Sequence, residues 1–416
     1  MKVVSVLFCL GAALCGAAEQ EWKIDGVEVD RVCFKPGQTA EFRTTLHYSG
    51  DKPVVEARVS VDVYSELDRQ EPAFSEVMRF QPGVAVPLAV SWNVPLRRKW
   101  GHEVRVHLQP LPEGSTPLIR SAYFAVGEHS WQVGHWTGCC NTGGLKTPEE
   151  VKTSVIEGYH RWHVTAIDYF SWQPSGWETM APEEDDWVSG QKGYVETKRV
   201  LRDIINQAHE RGMEVYSYYR YDSWGPAGVE FIRTHPEWWS FDRFGKPFPK
   251  GCEFDIAVLD KMRNRETLTA LPWCRFYTGV IWRDDIEEFM FDQLKRSVEM
   301  FGWDGFRSDG LPAPANVYDR EGTYHEVIEG DPINAEMAWI QTVRSRLKDE
   351  ISPDCVMHFN ASSVSYGLEK TDRQLFQERA RGSYCLWEGA YLASMPGSDL
   401  NNMKTFATYL HEEVKA

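Results

Sequence analysis

Phe301-Gly-Trp-Asp-Gly-Phe-Arg-Ser-Asp-Gly310 is the stretch whose reading decides the fold of this chain. Gly302 stops the helical pattern that runs from Asp285 to Met300. Gly305-Phe-Arg-Ser-Asp then reads as a short buried strand. The strand closes on a carboxylate, Asp309, followed by Gly310, where backbone can bend toward a ligand. Asp304, just before the strand, reads as a turn residue. Arg307 lies two residues before Asp309 and so on the same strand face. There it either holds Asp309 ionised, as a nucleophile requires, or forms a structural ion pair.

Working outward, similar strand and helix units repeat. Glu149 to Tyr159 is helical in pattern, Val164 to Phe170 a strand, Tyr194 to Glu210 a helix stopped by Gly212, and Met213 to Tyr219 a strand. Beyond the decisive stretch, Ala335 to Leu347 reads as a helix, Cys355 to Asn360 as a strand and Ser383 to Glu388 as another. With Gln132 to Trp136 as the first strand, six are countable. Repeated strand–helix units without a GxGxxG turn favour a (β/α)8 barrel of the triosephosphate isomerase type over a dinucleotide-binding sheet. The expected barrel, residues 131–416, is apparently truncated after its sixth strand.

The segment before it has another character. From Trp22 to Val126 short alternating strands are broken by turns such as Pro36-Gly37 and Pro82-Gly83. That spacing predicts an immunoglobulin-like β-sandwich over residues 20–127, so the fold class is multidomain. Residues 1–18 look like a signal peptide: Lys2, an apolar run from Val3 to Leu14, then Gly16, Ala17 and Ala18. A secreted or periplasmic protein is therefore expected. The run is too short for a stable membrane anchor, and no stable membrane span is expected elsewhere. Leu14 before Cys15 is too bulky for a lipoprotein cleavage box.

The formal net charge is −16. Such a surface repels phosphate backbones, so nucleic acid is not an expected partner, whereas a neutral polysaccharide or oligosaccharide is compatible. Seven of the nine cysteines lie beyond the leader, an odd number and no disulfide scaffold. None has CxxC spacing. Vicinal Cys139-Cys140 near His135 suggests a loop thiol or a strained vicinal disulfide rather than zinc, which wants spaced ligands. His209 reads as a surface or helix C-terminal dipole partner. Glu183 to Asp186 reads as solvated loop charge, with calcium left open. No cofactor and no metal are expected.

Barrel enzymes carry their active groups at the C-terminal ends of the strands. Those ends read Asp168-Tyr169, Tyr219-Arg220, Asp309, Asn360 and Glu388. Glycoside cleavage needs two carboxylates: one attacks the anomeric carbon or activates water, and the other protonates the leaving oxygen. Asp309 and Glu388 are the expected catalytic pair, with Trp387 placed to raise the acid's pKa. Asp168, Tyr169, Trp172, Tyr219, Arg220, Arg307, Asn360 and Trp387 are the expected substrate-binding residues. Seventeen tryptophans are present. Trp172, Trp177, Trp187, Trp224, Trp238 and Trp239, near strand ends, are candidates for stacking on sugars or for plain core packing.

The stretch Gly302 to Asp309 resembles the nucleophile strand of the dextranase family of glycoside hydrolases, family 66, which includes cycloisomaltooligosaccharide glucanotransferases. His358-Phe-Asn-Ala361 with Tyr366-Gly367 is similar to that family's fifth-strand motif. Tyr384-Cys-Leu-Trp-Glu-Gly389 resembles its sixth-strand region, and Asp168-Tyr-Phe-Ser-Trp172 its aromatic second-strand end. The resemblance implies a retaining hydrolase or transglycosylase of α-glucans, with Asp309 as nucleophile and Glu388 as acid/base. Trp387 precedes the glutamate rather than following it, which makes Glu378 in Phe376-Gln-Glu-Arg a rival acid. An α-amylase- or α-galactosidase-type hydrolase is an alternative, although the α-amylase clan expects a glutamate where this chain has Asn360. A non-catalytic glycan-binding protein on a degenerate barrel is another.

Overall fold

The computed structural model describes residues 21–65, 68–96, 101–112, 116–129, 137–140, 148–170, 172–190, 195–219, 222–224, 234–235, 238, 275–277, 284–309, 316–318, 321–326, 342–360 and 373–375. The chain divides into two compact units. The first takes Pro36–Val126 and the residues up to Asp30; the second takes Gly127 onward and recruits Arg31–Lys35.

The first unit holds β1 (Trp22–Ile24), β2 (Glu28–Val29), β4 (Thr39–Tyr48), β5 (Val55–Ser65), β6 (Asp68–Phe80), β7 (Val86–Asn93), β8 (Gly101–Pro110) and β9 (Leu118–Val126), with β3 (Cys33–Phe34) falling in the recruited segment. In one sheet β4 pairs antiparallel with β1, β2 and β7. In the other the order is β9-β8-β5-β6, again antiparallel. Alternation along each strand sends one set of side chains inward. Val59, Val61, Val63, Val104 and Val106 are buried accordingly. Rings from the two sheets meet in the interior: Phe42 lies 5.7 Å from Phe124 and Trp22 lies 5.1 Å from Phe80. The unit is thus a two-sheet antiparallel sandwich.

The second unit is built on β10 (Thr137–Cys140), β11 (Ala166–Tyr169), a hairpin of β12 (Asp186–Val188) and β13 (Val195–Thr197), β14 (Glu214–Tyr219), the pair β15 (Asp222–Trp224) and β16 (Arg275–Tyr277), β17 (Gly305–Asp309), the pair β18 (Asn316–Tyr318) and β19 (Tyr324–Glu326), β20 (Val356–Asn360) and β21 (Arg373–Leu375). Its helices are α1 (Pro148–Val151), running through a π-helical turn (Lys152–Ile156) into α2 (Glu157–Arg161), then α3 (Lys198–Glu210) and α4 (Asp284–Phe301). A second π-helical turn, Leu347–Ile351, precedes β20. Among the described residues the main sheet is six-stranded, ordered β10-β11-β14-β17-β20-β21 and parallel throughout. Strand order equals chain order, so each connection steps one strand in the same direction. A doubly wound nucleotide-binding sheet would reverse at its middle. This sheet does not, and it is the winding of a barrel wall, open among the described residues.

One helix boundary differs from that which the sequence suggests, and two expected strands fall outside the described residues. The first described strand of this sheet is Thr137–Cys140, and the expected strand Gln132 to Trp136 lies outside the described residues. Cys139 and Cys140 therefore sit on a strand in register with Asp168 and Tyr169, not in a loop. The helix expected from Tyr194 starts at Lys198, because β-branched Val195 and Thr197 pair in the hairpin with Val188 and Asp186. The sixth described strand is Arg373–Leu375, which the sequence pattern did not suggest, and the expected strand Ser383 to Glu388 lies outside the described residues.

One apolar layer fixes the sheet to its helices. Leu201, Ile204, Ile205 and Ala208 of α3 and Ile286, Met290 and Leu294 of α4 pack with Ile167, Val215, Phe306 and Met357 of the strands. Gly212 ends α3 with φ +74° while Met213 N–H donates to Ala208 O at 2.9 Å, the left-handed stop that glycine adopts freely. At Gly305 the constraint is space: a Cβ would overlap the carbonyl of Val356 on the neighbouring strand.

The N-terminal edge of the sheet is laced by charge. Asp304 Oδ2 accepts from Val215 N–H and from His209 Nε2, both at 2.7 Å. Its own N–H donates to Val215 O, and its carbonyl accepts from Val356 N–H. Asp304 thereby joins α3, β14, β17 and β20 and does more than make a turn, and His209 serves it directly. Beside it, His129 Nδ1 lies 3.3 Å from Glu214 and His129 Nε2 lies 3.8 Å from Asp354. Burial pushes the His209 pKa down, but the hydrogen bond and charge of Asp304, with Glu214, outweigh it and leave the pKa raised. His129 is raised by its hydrogen bond to Glu214, against burial.

A raised histidine pKa stabilises the fold fully below the ordinary value near 6.5 and ceases to as pH climbs through the raised native value. Thermal melts should therefore show stability falling as pH rises from about 6 to 8. His209→Gln should flatten part of that fall, and unchanged slopes would refute the assignment.

Candidate active site

The two faces of the parallel sheet hold different chemistry, and strand alternation sorts the candidate residues between them. Ile167, Tyr169, Val215, Tyr219 and Phe306 belong to the helix-facing core. Ala166, Tyr216 and Val356 cluster separately. Asp168, Tyr218 and Arg307 alternate in step with this second set.

Asp168 and Arg307 meet there. Arg307 Nε stands 3.8 Å from Asp168 Oδ2, and both side chains are fully buried. The guanidinium carbon is 5.4 Å from the centroid of the Tyr218 ring and 5.7 Å from that of Phe170, within cation–π range. Those two rings meet edge to face at 4.3 Å. Below them the Tyr216 hydroxyl donates to Glu214. The pair spans β14, since Asp168 is on β11 and Arg307 on β17. Of the two roles open to Arg307, the structure shows the ion pair, made with Asp168. A side chain with no accessible surface has none to offer a sugar, so neither residue is placed as a direct substrate contact.

Three other residues expected to contact substrate belong to the helix-facing core. Tyr169 donates to Glu196 at 3.3 Å, Tyr219 to Met290 Sδ at 2.7 Å, and Trp172 Nε1 to Ser217 Oγ at 3.1 Å. All three are fully buried among the helices. Trp172 packs with Trp187, Phe301 and Trp303 at centroid distances of 5.2–5.9 Å. Trp187 and Trp238 are buried too. These tryptophans build core rather than a sugar platform. Nothing is described of the side chains of Trp177 and Trp224, and Trp239 lies outside the described residues.

Asp309 is the last residue of β17, and its backbone is in register with Asn360 at the end of β20 and, through it, with Leu375 at the end of β21. The strand ends thus bring positions 309, 360 and 375 level with one another. Arg220, Glu378, Trp387 and Glu388 lie outside the described residues. Glu183, Glu184 and Asp185 are exposed. Among the described residues no group of three metal-ligating side chains converges. The sequence reading missed Phe170 and Tyr218 as partners of Arg307. The signal was available in the Val215-Tyr-Ser-Tyr-Tyr219 alternation, which puts Tyr218 and Tyr219 on opposite faces.

Removing one member of a buried pair strands the other's charge. Arg307→Met or Asp168→Leu alone should each cost about 3–5 kcal/mol. The double substitution should cost clearly less than their sum, as a denaturant double-mutant cycle would read. Additive losses would mean the two charges are not coupled.

No family model matches this chain, and no curated protein does. Among solved structures it is similar to a Paenibacillus sp. cycloisomaltooligosaccharide glucanotransferase complexed with cycloisomaltoheptaose, with a TM-score of 0.60 and 14% identity over 81% of this chain. The match covers 44% of that enzyme, so this chain spans less than half of its length. A noncanonic maltogenic α-amylase from Thermotoga neapolitana, at 14% identity over 57% of this chain and 48% of that one, has a TM-score of 0.36, too low to argue from. At such identities the likeness is one of fold, and the fold shared is that of the glucanotransferase.

Proposed function

We propose that this chain is a retaining glycoside hydrolase or transglycosylase of α-glucans, with Asp309 as its nucleophile. The observation that carries the reading is the position of Asp309 at the C-terminal end of the fourth parallel strand, level with Asn360. That is where barrel enzymes place reacting groups. The fold similarity to a glucanotransferase bound to a cyclic isomaltooligosaccharide supports the substrate class. In this mechanism the Asp309 carboxylate attacks the anomeric carbon while an acid protonates the departing glycosidic oxygen. The same residue, now a base, then takes a proton from the water or sugar hydroxyl that releases the glycosyl–Asp309 ester.

The acid has two candidates. Resemblance to the dextranase family favours Glu388. The position of β21 favours Glu378, because that strand ends at Leu375, three residues before Glu378 in the sequence. The leader-like residues 1–18 extend the proposal to an exported protein acting on glycan outside the cytoplasm.

Wild-type protein incubated with dextran and a panel of α-linked oligosaccharides should release products whose first-formed anomer matches the substrate. Asp309→Asn should reduce kcat more than about a thousandfold. Whichever of Glu388→Gln and Glu378→Gln removes the acid should lose about 10²–10⁴-fold while retaining activity on substrates with good leaving groups. Full activity of Asp309→Asn would exclude the reading. Glycan binding in calorimetry without turnover would favour a degenerate barrel instead.

A further inference from the structure

Two fixed charges lie on one face of the parallel sheet, below the strand ends. Arg307 is two residues before position 309 on β17, which places both positions on one face, roughly 6.6 Å apart along the strand. Asp168 lies two strands away on β11. Through Tyr216 it is in register with Gly305, below Arg307 and farther from position 309. Both charges are fully buried, so solvent ions screen them little. The guanidinium does not titrate in the working range, and Asp168 with the Phe170 and Tyr218 rings holds it in place.

We propose that Asp168 and Arg307 are positioning residues that set the charge state of Asp309 with opposite signs: Arg307 favours its carboxylate, Asp168 moderates that effect, and neither touches the glycan. The inference rests on the reading of Asp309 as nucleophile. Coulomb energy falls with distance, so the nearer Arg307 dominates and the net effect favours ionisation. Other groups share this face. Tyr216 and Tyr218 come from β14, with Glu214 at its start. By register, Cys139 of β10 stands beside Asp168, His358 of β20 beside Arg307, and Arg373 of β21 beside His358. His358 carries an imidazole, and its contribution is separated with a His358→Gln background.

The test is the pH dependence of kcat/KM on an α-glucan oligosaccharide, whose acidic limb reports the nucleophile in the free enzyme. Removing a positive neighbour raises a carboxyl pKa, so Arg307→Gln should move the limb up by about one pH unit or more. Arg307→Lys should restore most of the wild-type limb. Asp168→Asn removes the opposing charge and should move the limb down. KM should hold in all three. If Arg307→Gln does not fold, Asp168→Asn/Arg307→Gln, neutral at both positions, should show a limb above that of the wild type. A limb unmoved by any variant, or moved the same way by Arg307→Gln and Asp168→Asn, overturns the proposal. So does a KM increase of tenfold or more with the limb fixed, which would signal direct glycan contact. Turnover retained by Asp309→Asn would remove the nucleophile reading and this inference with it. Loss of turnover there, with limbs that do not move apart, removes this inference alone.

Discussion

A guanidinium with no access to water must find its compensation within the fold, and the sheet of the second unit is arranged around that requirement. Arg307 obtains a carboxylate from Asp168, two strands away, and two ring faces from Phe170 and Tyr218. Meeting it needs β11, β14 and β17 to lie side by side, parallel and in one register. A slip of one residue on β17 would turn Arg307 toward the helices, among Leu201, Ile204 and Met290, where a charge has no partner. The pair is therefore weak as a source of net stability and strong as a constraint on register.

The two ends of the sheet divide the work. At the N-terminal edge, Asp304, His209, Glu214 and His129 tie helix to strand and strand to strand through hydrogen bonds that solvent partly screens. At the C-terminal edge, backbone ends at positions 309, 360 and 375 come level without being crowded by that network. Separation of this kind lets the connections beyond the strands vary while the wall stays fixed. The sequence holds both kinds of aspartate within one short stretch: Asp304 laces the N-terminal edge, and Asp309 ends the strand at the C-terminal edge.

Aromatic content is distributed by the same logic. Trp172, Trp187, Trp303 and Phe301 stack into the layer between sheet and helices, each indole N–H with an acceptor: Ser217 Oγ for Trp172, the Trp172 carbonyl for Trp187, and Ser297 Oγ for Trp303. A large ring that can hydrogen-bond at one end is well suited to such a layer. Tyr169 and Tyr219 do likewise through their hydroxyls. An abundance of tryptophan near strand ends thus speaks first to packing here.

The sequence by itself determined the alternation of strands and helices, the change of architecture near residue 130, the limits of β17 and the position of Asp309 at its end. All of these depend on local periodicity and on glycines that stop helices, which neighbours along the chain suffice to specify. What it left open were matters of partnership. Arg307 read equally well as a partner of Asp309 or of a structural carboxylate, and only the side-by-side placement of β11, β14 and β17 brought Asp168 to it. Tyr169, Trp172 and Tyr219 read as site residues because they stand at strand ends, and only the packing of α3 and α4 turned that face into core. The strand Arg373–Leu375, which pairs with β20, has little hydrophobic signal of its own and was not legible as a strand. The physical reason is common to all three: a strand's face and partners are set by which elements cover it, and that information is distributed over the whole chain.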